Sequence, residues 1–334
     1  MGNKPTILVT GGAGYIGSHA VLALRDAGWP VVVIDNLVTG FRWAVPDDVP
    51  FAEGDIADQP LVDGLLRDHK IGAIMHFAGS VVVPESVSDP LKYYHNNTVR
   101  SRALIESAVR CGVPHFIFSS TAATYGIPEE SPVREDTPKR PINPYGMSKL
   151  MTEIMLEDVA RAHPINYCAL RYFNVAGADP QRRSGQSTAG ATHLIKVAVE
   201  AALGTRSHVS VFGTDYDTPD GTGVRDYIHV SDLAAAHVLA LEALMADPAK
   251  NHTLNCGYGK GFSVLEVLDA VDRVTNLTIE RKLEARRAGD PDALISDNRA
   301  IMARFPWKPQ HADLDTIVAH AVAWERKLGE LRGG

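Results

Sequence analysis

The first half of the chain alternates short, continuously apolar segments with amphipathic segments, and this repetition constrains the fold most strongly. The apolar segments lack the alternation of a half-exposed strand, so they fit strands buried on both faces of a parallel sheet. Because right-handed crossovers place helices on both faces, such repetition forms a doubly wound sheet. The predicted strands are Thr6–Thr10, Val31–Asp35, Phe51–Glu53, Ala73–Phe77, His115–Ser119 and Tyr167–Arg171.

The texture of the sequence changes after Asn174. A polar segment at 177–190 is rich in Gly, Arg, Ser and Gln, and shorter predicted elements follow it. We predict an α/β fold: a Rossmann-type doubly wound parallel sheet with a smaller α/β C-terminal substrate lobe that caps the carboxyl ends of the strands. The sheet domain is predicted at residues 1–174 plus about 226–245, whose strand and following helix resemble returning elements. The lobe is predicted at 175–225 and 246–334.

Composition excludes several functional classes. Among 334 residues, 33 Lys and Arg oppose 40 Asp and Glu, so the net charge of −7 provides no basic footprint for nucleic acid. No apolar run reaches the roughly 18 residues of a membrane helix. The cysteines (Cys111, Cys168 and Cys256) form no C-x-x-C pair, which indicates a reducing compartment, the cytoplasm. The histidines show no H-E-x-x-H pattern, so we predict no metal site.

A glycine-rich turn separates the first predicted strand from the first predicted helix. Its sequence, Gly11-Gly12-Ala13-Gly14-Tyr15-Ile16-Gly17, permits a tight turn and a helix N-terminus that faces a pyrophosphate. Asp35 ends the second strand about 20 residues later, where a carboxylate can bind a ribose 2′-hydroxyl. Since that carboxylate would repel a 2′-phosphate, the pattern favours NAD over NADP.

A tyrosine and a lysine lie four residues apart at the start of a predicted helix, Pro144–Ala162. This spacing places Tyr145 and Lys149 on one helix face. A phenol has an ordinary pKa of about 10, so it acts as a base near neutral pH only where its phenolate is stabilised. The ammonium of Lys149, together with a positive nicotinamide, would favour the phenolate.

Together these features resemble the extended short-chain dehydrogenase/reductase family, and within it the nucleotide-sugar epimerases. The resemblance covers nearly the whole chain. The glycine turn and the Tyr145–Lys149 pair mark the superfamily, whereas three later runs are specific to nucleotide-sugar epimerases: Arg171–Asn174, Gly221–Val230 and Arg286–Asp290.

The resemblance implies a binding residue set for each ligand. The residues expected around NAD are Gly11, Gly14, Tyr15, Ile16, Gly17, Asp35, Asn36, Asp55, Ile56, Phe77, Ala78, Gly79, Asn96, Tyr145, Lys149 and Phe173. The residues expected to bind a UDP-sugar are Thr121, Asn174, His193, Leu194, Phe212, Arg225, Arg287, Asp290 and Leu294. The arginines match the charge of a diphosphate.

The implied activity is C4 epimerisation of UDP-glucose and UDP-galactose through a transient 4-keto sugar. Tyr145 would take the 4-hydroxyl proton while C4 passes hydride to NAD, and Thr121 would bond the same oxygen. Relatives often carry serine at Thr121 and asparagine at His193. Leu294 stands where some relatives have a bulky tyrosine, which keeps UDP-N-acetylhexosamines among the conceivable substrates. The resemblance also implies a homodimer.

Three alternatives remain open. A UDP-pentose or UDP-uronic acid 4-epimerase would use the same site with altered contacts at C5. A nucleotide-sugar 4,6-dehydratase usually carries Asp-Glu after the Ser or Thr, whereas Ala122-Ala123 follow Thr121 here. A catalytically silent NAD-sensing regulator would not need the intact Tyr145–Lys149 pair.

Overall fold

The computed structural model describes residues 4–287 and 289–333 of the chain. In chain order the strands are β1 (Thr6–Thr10), β2 (Val31–Asp35), β3 (Phe51–Glu53), β4 (Ile71–His76), β5 (His115–Thr121), β6 (Asn166–Tyr172), β7 (Asn174–Ala176), β8 (Val209–Phe212), β9 (Val224–His229), β10 (His252–Cys256), β11 (Gly261–Ser263), β12 (Arg281–Glu284) and β13 (Ala293–Leu294). The helices are α1 (Tyr15–Asp26), α2 (Gln59–Asp68), α3 (Val83–Ser88), α4 (Pro90–Tyr93), α5 (Arg100–Arg110), α6 (Pro144–Ala162), α7 (Leu194–Ala202), α8 (Val230–Ala246), α9 (Val264–Thr275), α10 (Arg299–Arg304) and α11 (Leu314–Gly333).

A seven-stranded parallel sheet forms the centre of the molecule, in the order β10-β6-β5-β4-β1-β2-β3. Six of its strands are the predicted ones, although β4, β5 and β6 differ from the predicted bounds by one or two residues. Two apolar clusters cover the sheet, one on each face, since alternate strand residues such as Ile7 and Leu8 belong to different clusters. The predicted doubly wound α/β fold is confirmed.

The seventh strand corrects one detail of the sequence interpretation, which placed residues 246–334 in the lobe. β10 pairs with β6, His252 opposite Cys168, so this segment completes the central sheet. The predicted returning strand instead pairs with β7, β11 and β13 in a separate sheet, as β9. The helix that follows, α8, packs on α1 and joins the main core, together with Ile228 of β9. An apolar pattern identifies a short strand but not the strand with which it pairs, and this pairing determines to which sheet it belongs.

The smaller lobe is built around the second sheet, the β8–β12 pair and helices α7, α9 and α11. Its core buries Ile195, Val267 and Ile317 fully or almost fully. β7 begins two residues after β6 ends, so the lobe starts at the carboxyl edge of the central sheet. We propose that the sheet domain comprises residues 1–174 with α8 and β10, and that the lobe comprises most of the remaining segments.

A buried ion pair joins helix α6 to the central sheet. Arg171 on β6 and Glu153 on α6 are 3% and 6% exposed. The Arg171 Nε donates to Glu153 Oε1 at 2.9 Å, and a second guanidinium nitrogen donates to Oε2 at 2.6 Å. Ser120 on β5 also donates to Glu153. Arg171 further donates to the Tyr125 hydroxyl, which donates to Asn255 on β10. These contacts fix α6 against three adjacent strands.

Removal of one partner of this pair is expected to destabilise the fold strongly. Glu153→Ala leaves a buried guanidinium uncompensated, so the free energy of unfolding should fall by about 3–5 kcal/mol. Urea denaturation followed by circular dichroism measures this change. The matched control is Glu157→Ala on the same helix, which breaks an exposed pair with Arg161 and should cost about 0.5 kcal/mol. Equal costs for the two variants would contradict the assignment.

Candidate active site

The glycine turn lies between β1 and α1, at the centre of the sheet's carboxyl edge. Gly11 has φ of +70°, and a Cβ there would lie 2.6 Å from the Ala78 nitrogen. A Cβ on Gly17 would lie 2.1 Å from the Gly11 oxygen. Gly14 is the N-cap residue of α1 and has no side chain that could accept from the first N–H groups of the helix. This backbone fits a pyrophosphate, which such N–H groups bind.

Asp35, the last residue of β2, lies beside the glycine turn and accepts hydrogen bonds from backbone N–H groups. Its Oδ2 accepts from Ala13 N at 2.9 Å, and its Oδ1 accepts from Leu37 N at 2.8 Å. Burial raises the pKa of the Asp35 carboxyl, while the two backbone hydrogen bonds lower it. Each carboxylate oxygen retains capacity for a further donor, as a ribose hydroxyl requires. The sequence pattern did not reveal that the Asp35 side chain also accepts a hydrogen bond from the glycine turn. The next residue, Asn36, accepts from Val38 N through its side chain.

Two groups of predicted NAD residues follow β3 and β4. Asp55 accepts from Ala57 N at 2.9 Å and forms an ion pair with Arg100 at 3.0 Å, so the adenine contact predicted for it would share this carboxylate. Ile56 is buried. Phe77 N donates to the Thr10 oxygen at the end of β1. The run Phe77-Ala78-Gly79 therefore lies beside the glycine turn, at the sheet edge where we predict the cofactor to bind.

Helix α6 presents the predicted tyrosine and lysine. Asn143 caps the helix by accepting from Gly146 N at 2.8 Å. Tyr145 and Lys149 are 8% and 3% exposed, so both lie on the buried face. The Lys149 ammonium donates to the Ser119 oxygen of β5 at 2.9 Å. The helix therefore holds both side chains at the strand end that carries Thr121.

Burial dominates the electrostatics of this pair. It raises the pKa of Tyr145, and only the hydrogen bond with Thr121 acts to lower it. Burial lowers the pKa of Lys149 to about 8, while the charge of Glu153 raises it. Sequence spacing reveals the neighbouring cation but not the desolvation that opposes it. A phenolate at Tyr145 would therefore need further stabilisation, which a positive nicotinamide bound nearby would supply.

Asn97 is a residue that the sequence reasoning did not single out. It is buried in a π-helical turn, Tyr94–Val99, between α4 and α5. Its side chain accepts from Ser80 N at 2.7 Å and donates to the Ser80 oxygen and to Ser148 Oγ. Asn97 thus ties the segment after Gly79 to helix α6, and Asn96 beside it donates to Ser80 Oγ. The sequence signal that could have identified Asn97 is the Asn-Asn pair, which interrupts an otherwise helical pattern. The pair lies in a π-helical turn, and such turns often mark functional sites.

Thr121 ends β5, and its hydroxyl accepts from Ala123 N at 3.1 Å. The following Ala122 belongs to a small buried cluster that also contains Phe173 and Tyr125. Leu294 packs against this cluster from the lobe. The structure therefore brings Leu294 next to the strand end that carries Thr121.

The predicted UDP-sugar residues lie on several lobe elements. Asn174, His193 and Leu194 line one cavity between β7 and the start of α7. The His193 Nδ1 lies 2.6 Å from the Gln186 amide nitrogen, and burial lowers the pKa of His193. Gln186, another lining residue, was not predicted. These side chains can hydrogen-bond a ligand that bridges β7 and α7.

The remaining predicted substrate residues form two contacts. The Arg287 guanidinium lies 3.7 Å from the centre of the Phe212 ring, a cation–π contact. Arg225 faces Asp290 at 3.9 Å and opposes Leu294 across the β9–β13 pair. The structure thus brings each arginine beside another predicted substrate residue.

In the described part of the chain, no group of three or more His, Cys, Asp or Glu side chains is arranged to hold a metal ion. No described helix has the length and apolarity to cross a membrane. The cysteines carry free thiols, with Cys168 and Cys256 buried and Cys111 partly exposed.

Comparison with known proteins is consistent with this geometry. Residues 7–257 match the NAD dependent epimerase/dehydratase family. A UDP-glucose 4-epimerase from Azospirillum brasilense is 55% identical over 99% of this chain and 94% of the relative. The UDP-glucose 4-epimerase of Brucella ovis, crystallised with NAD, is 43% identical over 96% of this chain and 98% of that one, with a TM-score of 0.93.

A third relative, the UDP-Glc/GlcNAc 4-epimerase of Campylobacter jejuni, is 46% identical over 97% of this chain and 99% of that one, with a TM-score of 0.85. The matched residues include the glycine turn, Tyr145–Lys149 and Thr121. The chain belongs to the NAD dependent epimerase/dehydratase family.

Proposed function

We propose that the protein interconverts UDP-glucose and UDP-galactose by epimerisation at C4, with NAD as its cofactor. The observation that carries this proposal is the buried Tyr145–Lys149 pair beside Thr121, at the same sheet edge as a glycine turn built for a pyrophosphate. NAD, held by the glycine turn and Asp35, would supply reversible hydride exchange with the sugar C4. The relatives named UDP-glucose 4-epimerase support the same activity. Such an activity would serve galactose metabolism.

The side chains of α6 and β5 perform the proton chemistry. Tyr145 takes the proton of the sugar 4-hydroxyl and returns it when the sugar is reduced. Thr121 hydrogen-bonds the same oxygen and favours the phenolate of Tyr145. Lys149, held by the Ser119 oxygen, contributes a positive charge that favours the phenolate and a donor for the nicotinamide ribose.

The lobe binds the UDP part and leaves the hexose less constrained. Arg225 and Arg287 provide positive charge for the diphosphate, while Phe212 offers a ring face. Asn174, His193 and Leu194 line the neighbouring cavity. Because the diphosphate is the anchor, the 4-keto sugar can turn and present its other face to the returning hydride. Inversion at C4 follows from this rotation.

The alternatives lack comparable support. A 4,6-dehydratase needs an acid–base pair after Thr121, and Ala122 and Ala123 carry no proton to transfer. The pentose and uronic acid alternatives would use the same catalytic residues, but the relatives named for UDP-glucose favour a hexose. A purified sample incubated with a panel of UDP-sugars, without added NAD, tests the substrate directly.

We also propose a cytoplasmic homodimer. Exposed apolar side chains lie on α6, on the two short helices α3 and α4 that pack against it, and just before α5. They are Val87, Leu91, Val99, Met151 and Ile154. Exposed apolar side chains on neighbouring helices support a subunit interface, and a second copy would bury them. The free thiols suit a reducing compartment.

Tyr145→Phe is expected to abolish epimerisation while NAD stays bound. The substitution removes only the hydroxyl, so turnover of UDP-galactose should fall by roughly 10²–10⁴-fold. Chromatography of the products measures turnover, and release of the nucleotide on denaturation measures bound NAD. Tyr167→Phe on β6 is the control, because Tyr167 lies near the start of that strand, away from the carboxyl edge that carries Thr121. Near-normal turnover of Tyr145→Phe would refute the base assignment.

The protein is expected to convert UDP-N-acetylglucosamine measurably, since Leu294 leaves more room than tyrosine beside the Ala122 cluster. Leu294→Tyr should reduce that activity at least tenfold and change UDP-glucose turnover far less. A tenfold loss corresponds to a rise of about 1.4 kcal/mol in the activation free energy for the N-acetylated substrate. Product analysis with both substrates gives the ratio. A complete lack of turnover of the N-acetylated substrate by the natural protein would contradict the proposed pocket.

Ile154→Lys is expected to convert the dimer to monomers, because an added charge on each copy would face the other in a symmetric interface. Sedimentation velocity measures the mass. Leu277→Lys is the control, since Leu277 is similarly exposed but lies after α9 in the lobe. Unchanged mass in both variants would place the interface elsewhere.

A further inference from the structure

Residues 177–188, which we name the strap, run from the lobe back to helix α1. The Tyr15 hydroxyl, in the glycine turn, donates to the Gly177 oxygen at 2.7 Å. Ser18 and Ser184 share a buried hydrogen bond, also at 2.7 Å. Arg183 donates twice to Asp26 at the end of α1, at 3.0 and 2.9 Å. The strap therefore touches the nucleotide-binding helix at its first, second and last turns.

The other side of the strap is fixed to α11 of the lobe. The Trp324 indole donates to Ser187 Oγ at 3.2 Å. Gly185 passes so close that a Cβ would lie 2.3 Å from the Trp324 ring. Lys327, one turn later, donates to the Arg182 oxygen at 2.8 Å. Any residue larger than glycine at 185 would displace this helix.

A second tryptophan, Trp43 of the sheet domain, contacts Trp324. Trp43 lies on the loop after β2, which is joined to the glycine turn by a hydrogen bond from Phe41 N to the Ala13 oxygen. The Trp43 and Trp324 rings stack with centroids 5.8 Å apart and planes inclined by 30°. Trp324 is 2% exposed, whereas Trp43 remains 46% exposed.

These contacts enclose a cleft against the glycine turn. Its walls are residues 13–15 and Ser18 on one side, Thr39 and the Phe41–Ala44 segment on the second, and the strap on the third. The pyrophosphate and adjacent ribose of a dinucleotide bind at the N-terminus of α1 and beside Asp35. Trp43 is one of the residues that line this cleft, and Trp324 stacks on it from the lobe side.

We propose that the Trp43–Trp324 stack and the strap form a latch between sheet domain and lobe that retains the dinucleotide through successive turnovers. The inference rests on the proposed function, because hydride returned to the same cofactor makes retention useful. Trp43 and Trp324 are positioning residues in this scheme and touch no reacting atom. Release of the nucleotide requires the stack to open, so the latch sets the rate of cofactor loss rather than the rate of catalysis.

Loss of the Trp43 ring is expected to accelerate NAD release about tenfold, in keeping with the value of an aromatic pair. The NAD-loaded Trp43→Ala protein is diluted into excess lactate dehydrogenase with lactate, so that each released NAD is trapped by reduction and read at 340 nm. Trp324→Phe, which keeps a ring but loses the Ser187 hydrogen bond, should give an intermediate rate. Leu331→Ala, exposed on the same helix, is the control.

Turnover with saturating NAD separates this proposal from the proposed function. Added NAD should raise turnover by Trp43→Ala, because excess cofactor replaces what that variant loses. Absence of epimerisation in the natural protein would refute the proposed function, and the release rates would still test the latch. Release from Trp43→Ala at the natural rate, with a native circular dichroism spectrum, would overturn the latch.

A reversible covalent closure provides a second test that does not depend on removing a core side chain. Ser18→Cys combined with Ser184→Cys replaces the buried hydrogen bond by a disulfide across the same gap. The oxidised protein should release NAD at least tenfold more slowly than the reduced one, and the single Ser184→Cys variant should not respond to oxidation. Equal release before and after confirmed cross-linking would also overturn the proposal.

Discussion

The buried pair of Glu153 and Arg171 is the interaction on which the catalytic geometry depends. Two charges with almost no access to water are tolerated because the guanidinium engages both carboxylate oxygens. Ser120 on β5 also donates to the carboxylate, and the guanidinium donates to the Tyr125 hydroxyl and the Glu135 oxygen. Glu153 lies one helical turn after Lys149, so the pair fixes the depth and rotation of α6. The reach of Lys149 to the Ser119 oxygen follows from that placement.

The sheet and the lobe contribute different parts of the chemistry. In the proposed mechanism, the sheet edge supplies rigid backbone for a dinucleotide and holds the proton-transfer side chains on buried elements. The lobe supplies arginines, an aromatic ring and a histidine on shorter elements. An enzyme that must reduce either face of one sugar needs this division, because the reacting groups stay fixed while the hexose turns about an anchored diphosphate.

Much of this arrangement was predictable. The continuous apolar strands, the glycine turn with Asp35 and the Tyr145–Lys149 spacing identify the central sheet and its nucleotide edge, because each is a local pattern with a local physical cause. The pairing of β10 with β6 was not predictable, since five residues of mixed polarity carry no record of their partner. Nor was the raised pKa of Tyr145, which depends on burial by distant residues.

The sequence by itself determined the fold class, the position of the glycine turn and the presence of a tyrosine and a lysine on one helix face. These follow from periodicities of a few residues. Only the tertiary structure decided that Glu153 meets Arg171, that Asn97 ties Ser80 to Ser148, and that Trp43 meets Trp324. Such contacts join residues that are far apart in the chain, and their geometry is set by how whole elements pack.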